Sequence, residues 1–271
     1  MNKLSPAFLT LLVFLLVQGF GIILAICIRA IQGLPSDGLL PVSHLSLILM
    51  IVNVLAVLCC HLFLHNIHFA TTFDYSTIRW DSGLLAITGG FLGAICISIL
   101  TESMEIPDIM LQTSIAMSHN IWGLLTLTII GPIAEELLFR EAIVGEMLRR
   151  GARPWTAIIV SAVAFSCLHF NPAQVLYALP LGIIFGIIYY KTGNIVLTSI
   201  LHILNNYIVV AQLRTMSGEI TEHSLSEWFG GGPNAYAAML CSGVLCIALM
   251  KGFWDRYQPR QKDDKNETYS R

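Results

Sequence analysis

Eight runs of apolar residues, each near the length that crosses a bilayer, govern what this chain can become. They are Ala7–Ile28, His44–His65, Gly83–Leu100, His119 to about Met147, Trp155–His169, Ala173–Tyr190, Ile195–Leu213 and Asn234–Met250. About 20 apolar residues span a hydrocarbon core roughly 30 Å thick, so the pattern predicts an all-α fold: a polytopic membrane helix bundle with about eight transmembrane helices. Composition points the same way. Hydrophobic residues make up 55% of the 271, charged residues 12%, and the mean hydropathy is +0.72, whereas about a quarter of a soluble domain is charged. The first run is too long for a signal-peptide core, and no A-x-A-like site precedes Arg29, so it is expected to stay as the first span.

Positive charge orients the bundle. With the N-terminus inside, cytoplasmic segments hold Lys3, Arg79, Arg149, Arg150, Arg153, Lys191, Lys251, Arg256, Arg260, Lys262, Lys265 and Arg271, and external segments hold Arg29 and Arg214. That is 12 against 2, with Arg140 inside the membrane completing the 15. The expectation is a multi-pass integral membrane protein, in the inner membrane if the cell is bacterial, with an even number of spans and both termini cytoplasmic. The net charge of −2 says nothing about nucleic acid, but no basic patch is large enough to track phosphates, so no nucleic-acid partner is expected. The seven cysteines lie in apolar stretches with no C-x-x-C spacing, so they read as small hydrophobes rather than as zinc or redox groups.

The order along the chain is N-terminal transmembrane helices in 1–118, a helical core in 119–213, an external loop with the last helix in 214–253, and a cytoplasmic tail in 254–271. The tail mixes both charge signs and reads as disordered. The loops at 32–42 and 214–233 are too short for a further domain, and there is no internal repeat.

The core carries the chemistry. Within Ile129-Ile130-Gly131-Pro132-Ile133-Ala134-Glu135-Glu136-Leu137-Leu138-Phe139-Arg140, three ionisable residues fall inside six positions of an apolar run. Each costs roughly 2.5 to 3.5 kcal/mol to insert at bilayer depth, which marks a functional or pinning cluster. Residues i and i+4 share a helix face, so Glu136 and Arg140 can pair. Glu135 points about 100° away and must find its partner on another helix. Glu141 and Glu146 lie nearer the cytoplasmic end, where solvent or Arg149 and Arg150 would account for them. Two later runs add Phe165-x-x-x-His169 and His202-x-x-x-Asn206. At 1.5 Å per residue, Glu135 lies roughly 21 Å from Arg149 and His169 roughly 22 Å from Pro154. His202 and Asn206 lie roughly 12 and 18 Å from Asn194. All four fall in the middle third of the core, on three different spans.

These groups suit amide hydrolysis. A desolvated carboxylate is a usable general base, so Glu135 with His169 could orient and deprotonate a water. His202 and Asn206 could donate hydrogen bonds to the oxyanion of a tetrahedral intermediate. No G-x-S-x-G is present, which disfavours a covalent route. Taken singly, each histidine could equally be a helix–helix hydrogen-bonding group.

Together, and in this order on successive spans, the three motifs resemble the CAAX protease and bacteriocin-processing family of intramembrane endopeptidases, over roughly Gly123 to Gln212. The resemblance implies a multi-helix membrane hydrolase in which Glu135 and His169 activate water. It also implies that His202 and Asn206 stabilise the oxyanion, with Glu136 and Arg140 supporting the site beside the motif's Phe165. Its partners would be membrane lipids and a peptide or lipid-anchored protein substrate, such as a prenylated CAAX protein or a leader peptide. Members are often labelled metalloproteases, and Glu135, His169 and His202 could ligate zinc. Since no H-E-x-x-H is present, the reading that needs no cofactor is preferred and zinc is the alternative. Two other functions use the same residues: a proton-coupled transporter, and a non-catalytic membrane scaffold or immunity protein. The missing inverted repeat argues against the first, and the complete motif set against the second.

Overall fold

The computed structural model of the protein describes residues 4–34, 40–215 and 225–258. Lys3, residues 35–39 and 216–224 of the two loops, and the tail from 259 lie outside the described residues. Among those described, every regular element is helical, as the bilayer requires of a chain that must satisfy its backbone polar groups internally. Seven helices are long and apolar enough to cross: α1 (Ser5–Ile31), α2 (Val42–Leu64), α3 (Trp80–Glu102), α5 (Ile121–Arg149), α7 (Pro172–Thr192), α8 (Val196–Thr215) and α9 (Gly232–Arg256). Between them lie α4 (Leu111–Ser118) and α6 (Pro154–Cys167).

The fifth apolar run departs from the expectation of a full span. It forms only the 14 residues of α6, roughly 21 Å at the helical rise, too little for a 30 Å core. The chain ends it at Leu168, takes Phe170 into the left-handed region (φ 50°) and restarts at Pro172, the first residue of α7. Proline serves well there because its missing N–H is an orphan at a helix start anyway. His169 is therefore held in a turn beyond α6, part-way across the bundle, rather than on a helix.

Close approaches fix the helix directions. A Cβ on Gly182 would meet Ala162 and Phe165, and one on Gly186 would meet Ile158, so α6 and α7 run antiparallel. Gly90 lets α3 touch α8: a Cβ there would collide with the Leu201 side chain. Small residues at such crossings are how helices pack without a hydrophobic driving force. Arg150 Nη1 donates to Ser5 Oγ (2.9 Å), Arg149 Nη2 donates to the Asn66 carbonyl (3.3 Å), and the Ile195 amide donates to the Thr72 carbonyl (3.1 Å). These contacts gather the start of α1, the ends of α2 and α5, and the start of α8 at one end of the bundle. That end carries Arg79, Arg149, Arg150, Arg153, Lys191, Lys251 and Arg256; Arg29, Arg214, Glu102, Glu105 and Asp108 lie at the other.

Helix α5 is the centre. Half of its apolar window is buried, against 11% for α1 and for α9, which lie at the rim. It is also not a regular α-helix. Two π-helical stretches, Thr126–Ile130 and Glu136–Gly145, flank one α-helical turn, Gly131–Glu135. Such widened turns are rare and concentrate at functional sites.

Candidate active site

Glu135 is the fifteenth of the 29 residues of α5 and so lies at its midpoint. Its neighbour Glu136 is fully buried, and the Glu136–Arg140 pairing expected from the spacing is present: Arg140 Nε lies 3.2 Å from Glu136 Oε2. Arg140 is buried as well. Its guanidinium lies 4.6 Å from the ring centroid of Phe165 and 5.0 Å from that of Phe185. A cation between two ring faces is held by their quadrupoles, for about 2 kcal/mol or more once desolvated. Phe165 thus braces the arginine from α6, which gives the motif phenylalanine a physical job.

His202 links the two glutamates. Its Nδ1 lies 2.9 Å from Glu136 Oε1 and its Nε2 lies 3.5 Å from Glu135 Oε2. Carboxylates only accept, so the shorter contact requires Nδ1 to carry a hydrogen and donate it. Glu136, tied to Arg140 and to His202, is thereby committed to holding the ring. Glu135 differs: its side chain keeps 27% of its surface exposed, against 0% for Glu136. Adjacent in sequence, the two carboxylates occupy opposite environments, and Glu135 finds its partner on another helix, as expected.

His169 Nδ1 lies 2.8 Å from the Phe165 carbonyl. A carbonyl can only accept, so Nδ1–H is the donor and Nε2 keeps its lone pair free. Asn206 is anchored too, by a feature of α5. Pro132 has no N–H to give the widened ladder before it, and Asn206 Nδ2 donates instead to the carbonyl of Leu127 (3.0 Å). Asn206 Oδ1 accepts from Asn205 Nδ2 (3.2 Å), and Asn205 Oδ1 accepts from the Tyr177 hydroxyl (2.5 Å). One Asn206 N–H remains for another acceptor.

Glu135, Phe165, His169, His202 and Asn206 all line a single cavity of about 320 Å³, while Glu136 and Arg140 stand behind it. The structure therefore brings together every residue singled out from the three motifs. Sequence reasoning missed Tyr177 and Asn205. Asn205 had only its adjacency to Asn206 as a signal, and Tyr177 had none.

Glu141 also departs from expectation. It is not solvated but buried, with only 2% of its side chain exposed. It accepts from Thr72 Oγ1 (2.8 Å), the Tyr189 hydroxyl (2.5 Å) and Arg149 Nη1 (3.1 Å), and lies 3.2 Å from His68 Nδ1. Arg149 was expected; the other three come from distant segments that fold over the end of α5. Glu146 pairs with Arg149 and Arg150 as expected.

As to metal, among the described residues no three His, Cys, Asp or Glu side chains gather closely enough to ligate an ion. Glu135 and His202 approach each other, but the set Glu135, His169 and His202 does not close as arranged.

Comparison with known proteins places this site in context. A protein of Bacillus subtilis named "Putative membrane peptidase YdiL" is 28% identical over 98 residues, 36% of this chain. The matched stretch spans 40% of that protein's length. No solved structure matches the chain. Residues 117–208 match the family described as type II CAAX prenyl endopeptidase Rce1-like, close to the stretch marked by the motifs. The resemblance read from three short motifs is thus to the Rce1-like CAAX prenyl endopeptidases, and it holds over the part of the chain that contains every residue of the site.

Proposed function

We propose that the chain is an intramembrane endopeptidase that hydrolyses a peptide bond of a membrane-associated substrate with a water activated by Glu135. One observation carries the reading: of two adjacent glutamates, one is wholly consumed in holding His202 and Arg140, and the other is left open to the cavity beside His202 and His169. A structural ion cluster has no use for the second.

In this mechanism, a water lies between Glu135 and His169 Nε2. Glu135 takes its proton as the oxygen attacks the scissile carbonyl carbon. The negative charge that develops on the carbonyl oxygen meets the free N–H of Asn206 and, once His202 is doubly protonated, the Nε2–H of that ring. The tetrahedral intermediate collapses, the C–N bond breaks, and the proton that Glu135 took from water, held meanwhile on His202 Nε2, passes back through Glu135 to the departing amine. Proton count supports a role for His202: its Nδ1–H already goes to Glu136, so a hydrogen bond between Nε2 and Glu135 needs one further proton. Glu135 has such a proton to share after the first step.

The finer reading is a substrate of the lipid-anchored kind, either a CAAX-type prenyl protein or a leader peptide in processing. With the charge distribution as guide, both termini lie in the cytoplasm. Purified protein in detergent should cleave a lipidated or apolar membrane peptide, and the Glu135→Gln variant should not. A wild-type protein that is folded yet cleaves no such peptide would return the chain to the scaffold or immunity reading.

A further inference from the structure

The cavity that holds Glu135 is one-sided. On the spanning helices its lining residues lie at the midpoint or toward the acidic end, except that on α8 it reaches back to His202 and Asn205, about one turn past the midpoint. On α5 the lining stops at Glu135, on α6 it begins at Phe165, on α7 it stops at Leu181, and on α8 it begins at His202. Toward the basic end the way is closed: all ten residues of Glu136–Gly145 are buried, and beyond them Glu141 gathers Thr72, Tyr189 and Arg149. Toward the acidic end, a second cavity of about 930 Å³ begins where the first stops, and Asp108, Val209 and Leu213 line both. The junction is built. Asp108 Oδ1 accepts from Asn171 Nδ2 (2.7 Å) and from the Met110 amide (2.9 Å), and Asn171 Oδ1 accepts from the Ile109 amide (3.3 Å). These bonds tie the loop between α3 and α4 to the turn that carries His169. Among the described residues, the charged side chains that line the outer cavity are all acidic: Glu102, Glu105 and Asp108.

From this we infer that the site is entered from the acidic end, the face that the charge distribution turns away from the cytoplasm. Its substrate is then a peptide segment presented at the outer surface of the membrane, with basic side chains flanking the scissile bond. Seven described cations at one end against two at the other set that orientation by the same rule that orients the spans, and Ser5 and Tyr257, each next to an end of the described residues, lie at the basic end. Of the two substrate kinds proposed above, this side of entry favours the leader peptide, because a cytoplasmic C-terminal tail of the CAAX kind would have to pass the buried half of α5 to reach Glu135. The outer volume is that of a ligand pocket, which typically holds a few hundred to about 1,000 Å³, and it leads directly to the catalytic groups.

The side of entry refines the proteolytic reading and is tested so that the two can fail separately. An epitope tag placed after Arg271 reports sidedness by its sensitivity to added protease. In intact cells the tag should be shielded; a tag exposed on the cell surface overturns the proposed side. Sealed vesicles of both orientations then receive a charged, membrane-impermeant peptide bearing lysines beside an apolar scissile segment. Cleavage is expected where the tag is shielded and is lost where it faces the medium. Cleavage only with the tag exposed, equal cleavage in both, or cleavage only after detergent overturns the inference. If even detergent-solubilised protein cleaves nothing, the protease reading fails, and labelling decides the entry side alone. For that arm, Ser114→Cys, on the inner cavity's lining, is made in a chain whose seven native cysteines are alanine and whose melting matches wild type. Reaction with an impermeant maleimide while the tag is shielded supports the acidic-end entry. Reaction only with the tag exposed, or only in detergent, overturns it.

Discussion

Removing Arg140 should cost more than removing Arg140 and Glu136 together. The guanidinium is buried, lies 3.2 Å from Glu136, and stands against the faces of Phe165 and Phe185 at 4.6 and 5.0 Å. In Arg140→Met the methionine fills most of the slot, but Glu136 is stranded as a buried carboxylate with only His202 to neutralise it. Breaking one side of a buried pair costs about 3–5 kcal/mol, whereas replacing both sides with groups of similar shape is often near neutral. The lost ring contacts, about 2 kcal/mol, fall within that range rather than adding to it, because contacts that share a group are not additive. The double variant Glu136→Gln, Arg140→Met should therefore regain most of the stability lost in the single one. Its activity should stay low, since the neutral amide that replaces the Glu136 carboxylate no longer presents an anion to His202. Thermal melting of the purified variants in one detergent measures the first part, and peptide cleavage the second. An Arg140→Met variant that melts like wild type, or a double variant as unstable as the two single losses summed, would refute the argument.

Other expectations follow from neighbouring contacts. Asn206→Ala strips the Leu127 carbonyl of its donor, at about 1–3 kcal/mol for a buried unpaired group; melting should fall and turnover with it, whereas Asn206→Gln should restore neither fully. Glu141→Ala leaves the Thr72 and Tyr189 hydroxyls without their acceptor, so melting should drop while kcat and KM of the surviving folded protein stay near wild type. A large change in kcat would instead place Glu141 in the chemistry. Chelator treatment should leave the cleavage rate unchanged, and elemental analysis should find no stoichiometric metal. One zinc per chain, lost in both His169→Ala and His202→Ala, would overturn the metal-free mechanism.

Much of the site could be read along the chain because its determinants are local or written in residue type. Charges in an apolar run are conspicuous, and the i,i+4 spacing of Glu136 and Arg140 carries their pairing whether the turn is α or π. The fact that Glu135 needed a partner from elsewhere followed from the same spacing. Which partner it was did not, because His202 reaches it only through the packing of α8 on α5. The job of Asn206 was hidden for a related reason: it depends on a backbone carbonyl left free by Pro132, and a carbonyl has no signature in sequence. Glu141 misled because two arginines follow it closely, while the hydroxyls that bury it lie 69 and 48 residues away. The shortness of α6 was likewise concealed. Hydropathy counts Leu168 and Phe170 as apolar, but the left-handed turn at Phe170 and the restart at Pro172 end the helix before it crosses.

The central claim is that two adjacent glutamates hold different jobs, and Glu135→Gln tests it most directly. Glutamine keeps the shape and removes the basicity. Because Glu135 stands at the cavity rather than inside the ion cluster, the variant should melt like wild type while its cleavage rate falls by about 10²-fold or more, the range of general-base catalysis. Glu136→Gln, measured beside it, should lose stability and activity together. A Glu135→Gln protein that still cleaves at close to the wild-type rate would contradict the account.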